Sequence, residues 1–178
     1  DGVCITGSRQ IYNMSCAGGE DECRASILAL SLEDLQRHPF AVEMRGVLAG
    51  YAGCKDLIVT HSITDDGTGH IDMYLKILDD DRVLLGEYRA PFDNDFQEEN
   101  AVLMNDNAAY LEAYVKPDGG RFQVARLPMP GHRRVEDWWG TYDVPFTYIN
   151  STFFNGLNLW PAFTFGDWRA SRDEAEAI

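Results

Sequence analysis

The sequence predicts mixed α and β structure, with a unit of strands plus a helix that recurs along the chain. Two patterns and their order predict it. Between His70 and Ile77, polar His70, Asp72, Tyr74 and Lys76 alternate with apolar Ile71, Met73, Leu75 and Ile77, the period of a strand. Phe96, Leu103, Tyr110, Leu111 and Tyr114 fall at helical spacing. The two kinds of segment follow one another as strand, helix, short strand, hairpin, helix, strand, hairpin and helix start. That succession is a unit of about 60–70 residues, as in radial or stacked repeats.

The elements follow from local chemistry. Residues 2–6 read as a short strand with which Ile11-Tyr12 pairs, and 16–23 as a loop. Ser31 with Asp34 three residues on has the form of a helix start. Pro39 suits a first helical turn, Met44, Val47, Leu48 and Tyr51 form the stripe behind it, and Gly53 stops it. Residues 57–60 read as an apolar strand leading to the glycine turn Asp66-Gly67-Thr68-Gly69. A strand over 70–78 and another over 83–88 make a hairpin around the acidic turn Asp79-Asp80-Asp81. Asn94 or Asp95 caps a helix to 115, and 122–127 is a strand stopped by Pro128. Residues 131–143 read as a long loop rich in His, Arg and Trp, a candidate substrate cover or a surface insertion. A strand over 146–154, the turn pair Asn155-Gly156, a return strand over 157–163 and a final helix from Asp167 or Ser171 complete the chain.

Composition excludes several functions. The chain has 178 residues, 45% of them hydrophobic, which suffices for one domain with a core. A net charge of −14 argues against nucleic acid, since phosphate binding needs a basic surface. No apolar run approaches the roughly 18–20 residues of a membrane span. The four cysteines, Cys4, Cys16, Cys23 and Cys54, lack metal-site spacing, so neither metal nor cofactor is expected. Cys16 and Cys23 flank a short acidic loop. Either a disulfide closes it, which implies an exported protein (periplasmic or extracellular), or the thiols are buried separately. The chain opens on Asp1-Gly2 without an initiator Met, as a processed precursor, an excised piece or a cleavage fragment would.

The chemistry centres on Gly69-His70-Ile71-Asp72. On one strand face, His70 and Asp72 would stand side by side, a general acid/base next to a carboxylate. This tetrapeptide and its hairpin to Gly86-Glu87-Tyr88, then Val124-Ala125-Arg126-Leu127-Pro128-Met129-Pro130, then Tyr148-Ile149-Asn150-Ser151, Asn155-Gly156 and Trp160-Pro161, resemble the agmatine deiminase and bacterial peptidyl-arginine deiminase family. The resemblance implies a pseudo-five-fold α/β-propeller of strand–strand–helix–strand modules, of which about three are present, with the site on its axis. It implies hydrolysis of a guanidinium to a ureido group and ammonia by a cysteine thiolate, without a cofactor. His70 would be the acid/base, Asp72 a guanidinium ligand and Asn150 the active-site asparagine. Asn155 competes for that last role, although its Asn-Gly pair also explains it as a turn residue. Tyr74, Asn155 and Trp138 would line the substrate, an arginine-containing peptide or agmatine.

The family's nucleophile lies beyond the Asn150 strand and a further module, and one of its guanidinium-binding acids lies upstream of residues 2–6. Neither has a match here. The chain is therefore expected to form a central, partial propeller over 1–178, completed by other segments or by self-association, and inactive alone. The competing expectation is a non-catalytic binder of guanidinium or arginine peptides that keeps the fold.

Overall fold

Parallel and antiparallel pairing divide the labour in the computed structural model, which describes residues 2–16, 21–64, 66, 69–138, 140–154, 157–159 and 161. Strands β1 (Val3–Gly7) and β2 (Asp56–Thr60) pair in parallel, Ile5 opposite Ile58 and Gly7 opposite Thr60. A parallel pair needs a crossover. Here it comprises α1 (Ser8–Ser15), α2 (Asp21–Leu28), α3 (Leu32–Arg37) and α4 (Pro39–Ala52). Next come a 3-10 turn (Ile71–Met73), β3 (Leu75–Ile77), β4 (Arg82–Glu87), α5 (Asp95–Ala113) and β5 (Gln123–Pro128). β3 and β4 are antiparallel, β4 and β5 parallel, and α5 crosses between the latter two. This is one complete strand–strand–helix–strand module. The hairpins β6 (His132–Asp137) with β7 (Gly140–Pro145), and β8 (Thr152–Phe154) with β9 (Leu157–Leu159), follow. The fold is thus mixed α and β, as expected.

β2 shows why the sheet is covered on both faces. Ile58 enters a core with Val83, Leu85, Met104, Leu111, Leu127 and Ile149, while Val59 enters another with Ile11, Leu35 and Ala41. Burying a leucine such as Leu85 or Leu111 contributes about 2 kcal/mol. The caps behave as their chemistry requires. Ser31 accepts the Asp34 N–H at 3.1 Å and Asn94 the Gln97 N–H at 3.0 Å, while Gly53 closes α4 at φ 72°.

Several expectations need correction. Ile11 and Tyr12 lie in α1, not in a strand, with Ile11 fully buried against the helices. The stripe on α4 is Ala41, Met44 and Leu48, whereas Val47 and Tyr51 are exposed, because only a narrow face of this helix meets the core. The segment over 131–143 is not a loop: Gly140, at φ 124°, lets it fold back as the β6–β7 hairpin. Its His132 ring lies 4.9 Å from Phe96 at the start of α5. Of the strand expected over 146–154, only 152–154 forms, because Ile149 N–H bonds to Thr147 Oγ1 and Ser151 N–H to Ile149 O, bending the chain. Asn155-Gly156 and the expected final helix lie outside the described residues. Both cysteine pairs are disulfides. Cys16–Cys23 joins α1 to α2, and Cys4–Cys54, which the sequence did not suggest, ties β1 to the end of α4.

Candidate active site

The segment after β2 is held from two sides before it reaches Gly69. Asn107 of α5 accepts the His61 N–H at 2.8 Å and donates to the His61 carbonyl at 2.9 Å. Asn100, one heptad earlier on the same helix, accepts the Thr64 N–H at 3.0 Å. On the other side, Ser62 N–H donates to Ser8 Oγ and Arg9 N–H to Ser62 Oγ, each at 3.1 Å. The start of α1, just past β1, is thereby fixed to Ser62, two residues past β2. A Cβ at Gly7 would overlap Ser62 Oγ, so glycine is needed for that approach.

Gly69 turns the chain at φ 67°, and a Cβ there would overlap the Arg9 side chain. Asp66, buried, accepts the His70 N–H at 3.0 Å. The backbone then closes two i to i+3 bonds, Met73 N–H to His70 O at 3.2 Å and Tyr74 N–H to Ile71 O at 3.1 Å. His70 and Asp72 therefore sit on a 3-10 turn, not on a strand face. Alternation alone did not reveal this, because the glycine turn tightens the chain one residue before the strand begins. Both side chains are exposed and line one cleft of about 320 Å³. Its opposite wall is Thr6 and Gly7 at the carboxyl end of β1, with Gln10 of α1. Clefts outside the carboxyl ends of strands are the usual ligand sites of parallel sheets.

Tyr74, expected on this polar face, is fully buried. Its hydroxyl donates to Thr60 Oγ1 at 3.0 Å, and Thr60 in turn donates to the Thr6 carbonyl at 3.1 Å. Burial pushes the phenol up to about 12, with Thr60 and Ser62 bonds opposing and the Asp66 charge adding to it. Tyr74 thus supports the cleft from behind Gly7 and does not reach a ligand in it. Lys76 donates to the carbonyl and, at 3.1 Å, to the hydroxyl of Ser151. Burial draws its ammonium below the ordinary lysine value, and the charge of Asp72 opposes that. This lysine ties the hairpin that follows Asp72 to the bend that carries Asn150. Asn150 is exposed there between buried Ile149 and Ser151. It does not line the His70 cleft. Trp138 is 82% exposed at the tip of the β6–β7 hairpin and does not line that cleft either. Asn155 lies outside the described residues.

Sequence reasoning missed Gln10, Asp66 and the Asn100–Asn107 pair. The Gly7-Ser8 step before an apolar-periodic stretch is a helix-start signal that would have placed Gln10 on a first turn. Two asparagines seven residues apart on a helix carry no such signal until the partner backbone is known. Among the described residues no group of three or more His, Cys, Asp or Glu side chains is disposed to hold a metal.

A family model described as Porphyromonas-type peptidyl-arginine deiminase matches residues 36–177. No curated protein matches the chain in sequence. Among solved structures it resembles the agmatine deiminase of C. jejuni, with 17% identity and a TM-score of 0.61, covering 99% of this chain and 42% of that one. It also resembles the agmatine deiminase of Enterococcus faecalis, with 16% identity and a TM-score of 0.62, covering 99% of this chain and 46% of that one. At these identities the likeness establishes the fold. The chain spans less than half the length of either structure.

Proposed function

Because this chain belongs to the Porphyromonas-type peptidyl-arginine deiminase family, we propose that the complete protein hydrolyses a guanidinium group to a ureido group and ammonia, with peptidyl-arginine as its substrate class. The observation that carries the reading is the meeting of His70 and Asp72 in one cleft at the carboxyl end of β1. Asp72 offers a carboxylate to the planar fork of guanidinium donors. A thiolate attacks the guanidinium carbon, and His70 delivers a proton to the departing ammonia. His70 then takes one from the water that releases the ureido product. Asn150 is assigned as the active-site asparagine and Asn155 and Trp138 as substrate contacts, with Asn150 and Trp138 meeting the parts of the substrate that extend beyond the His70 cleft.

The nucleophile is assigned to a segment outside these 178 residues. All four cysteines of the sequence are in disulfides, and a sulfur so bonded is not a thiolate. The guanidinium's second carboxylate is assigned to a segment outside them as well. The same two bridges favour an exported protein. Agmatine is the competing substrate, as two of the structural neighbours are agmatine deiminases.

Ammonia release by the complete protein from an internal-arginine peptide and from agmatine separates the two substrates. His70→Ala should reduce kcat by about a thousandfold, and Asp72→Asn should act chiefly through KM. Turnover by the His70→Ala protein at the parent rate would remove deimination from consideration.

A further inference from the structure

On the helical side of the sheet, away from the His70 cleft, a groove of about 650 Å³ runs between the α2–α3 corner and α5. Its walls are apolar, with Leu28 and Leu30 on one side and Leu103 and Ala109 on the other. Besides the Ser31 and Tyr110 hydroxyls, two carboxylates and an imidazole interrupt them. Glu33 stands on α3 and Asp106 on α5, both exposed, and neither forms an ion pair among the described residues. His61 is 7% exposed and lines the groove directly after β2. Its backbone is satisfied by Asn107, but neither ring nitrogen has a hydrogen-bond partner among the described residues. Neither His61 ring nitrogen is a buried orphan, so the imidazole opens onto the groove. The packing of residue 61 therefore leaves an opening for a ligand.

The chemistry of the three groups selects the ligand. Burial holds the His61 imidazole below its ordinary pKa, with Asp106 opposing, so the ring is neutral near pH 7 and offers a nitrogen lone pair. Asp106 and Glu33 add two acceptors from two other elements. The three acceptors come from three separate parts of the chain. They suit the three donors of a compact ammonium. The leucine and alanine walls suit an alkyl chain. Arg37 acts on Tyr110, which lines the groove, but does not itself line it.

We propose that the groove between α3 and α5 is a second ligand site that takes a primary alkylammonium ion, its charged end held by His61, Asp106 and Glu33 and its chain along Leu28 and Leu103. The site does not depend on deimination.

The test is calorimetric titration of the complete protein with hexylamine, hexan-1-ol and hexanoate. Saturable binding of hexylamine alone is expected, weakened at least tenfold by Asp106→Asn and by His61→Gln and unchanged by His70→Ala. Asp106 is exposed, so its substitution does not threaten the fold, and near-ultraviolet circular dichroism checks that His61→Gln keeps it. Equal binding of the alcohol would overturn the proposal, as would unchanged affinity in both groove variants. Loss of binding in His70→Ala would assign the amine to the other cleft and also overturn it.

Discussion

Tyr74 shows how a residue with a catalytic look becomes a structural one. Its phenol is buried, donates to Thr60 and is pushed up to about 12. In the unfolded chain a tyrosine titrates near 10. Below pH 10 both states keep the proton, and the stabilisation is complete. Between about 10 and 12 the unfolded state loses its proton while the folded state retains it, so stability falls as pH rises. A loss on the order of 2 kcal/mol is expected across that interval from this group. Tyr88, raised by burial, and Tyr114, raised by burial and then by its bond to Asp56, add losses of the same sign. Urea midpoints measured from pH 8 to 11.5 should therefore fall less steeply in Tyr74→Phe than in the parent. Identical slopes would mean that the hydroxyl is not held as described. At the same scale Gly69 was legible as a turn, but its contact with Arg9 was not, since that contact depends on a helix read first as a strand.

α5 is both a core helix and a clamp. Its apolar stripe was legible in the spacing of Phe96 and Leu111, and so was its Asn94 cap. The part that organises the site was not. Asn107 satisfies the N–H and the carbonyl of His61 together. Asn107→Ala would leave both backbone groups buried and unpaired, with a loss of about 3 kcal/mol. Val102→Ala on the exposed face of the same helix should stay within about 0.5 kcal/mol. Chemical denaturation measures both, and equal losses would show that the clamp adds nothing. Caps, glycine stops and hairpin turns were readable because their chemistry is local. The cleft was half readable. His70 and Asp72 lie in one motif, but Thr6, Gly7 and Gln10 arrive only through parallel pairing of β1 with β2, some fifty residues apart in register (Cys4 opposite Leu57). The β6–β7 hairpin escaped for another reason: its composition reads as loop, and only Gly140 marks the turn.

Across the whole molecule the two bridges lie in the first half, around the crossover that joins β1 to β2. Cys4–Cys54 closes a separation of 50 residues and Cys16–Cys23 one of 7. Loop-closure entropy assigns the longer bridge about 4 kcal/mol and the shorter one about 2–3 kcal/mol. Replacing each pair by serines and comparing urea midpoints should give losses in that order, and a larger loss for the short loop would contradict the entropic account. No helix among the described residues is long and apolar enough to cross a membrane. The complete β3–β4–α5–β5 module, with the β1–β2 pair before it and two hairpins after it, agrees with a chain spanning less than half of its structural neighbours.

The Asn107 clamp has a bearing on how such a protein diverges. Asn107 grips only main-chain atoms of residue 61, so the hydrogen bonds that set the path of the chain into Ser62 do not involve the side chain carried there. On the proposal made for the outer groove, drift at position 61 would alter what the groove accepts while leaving the backbone bonds that lead to His70 in place. On the two readings proposed above, ligand preference on one face and reaction on the other would be separable traits, and the first could change without loss of the second.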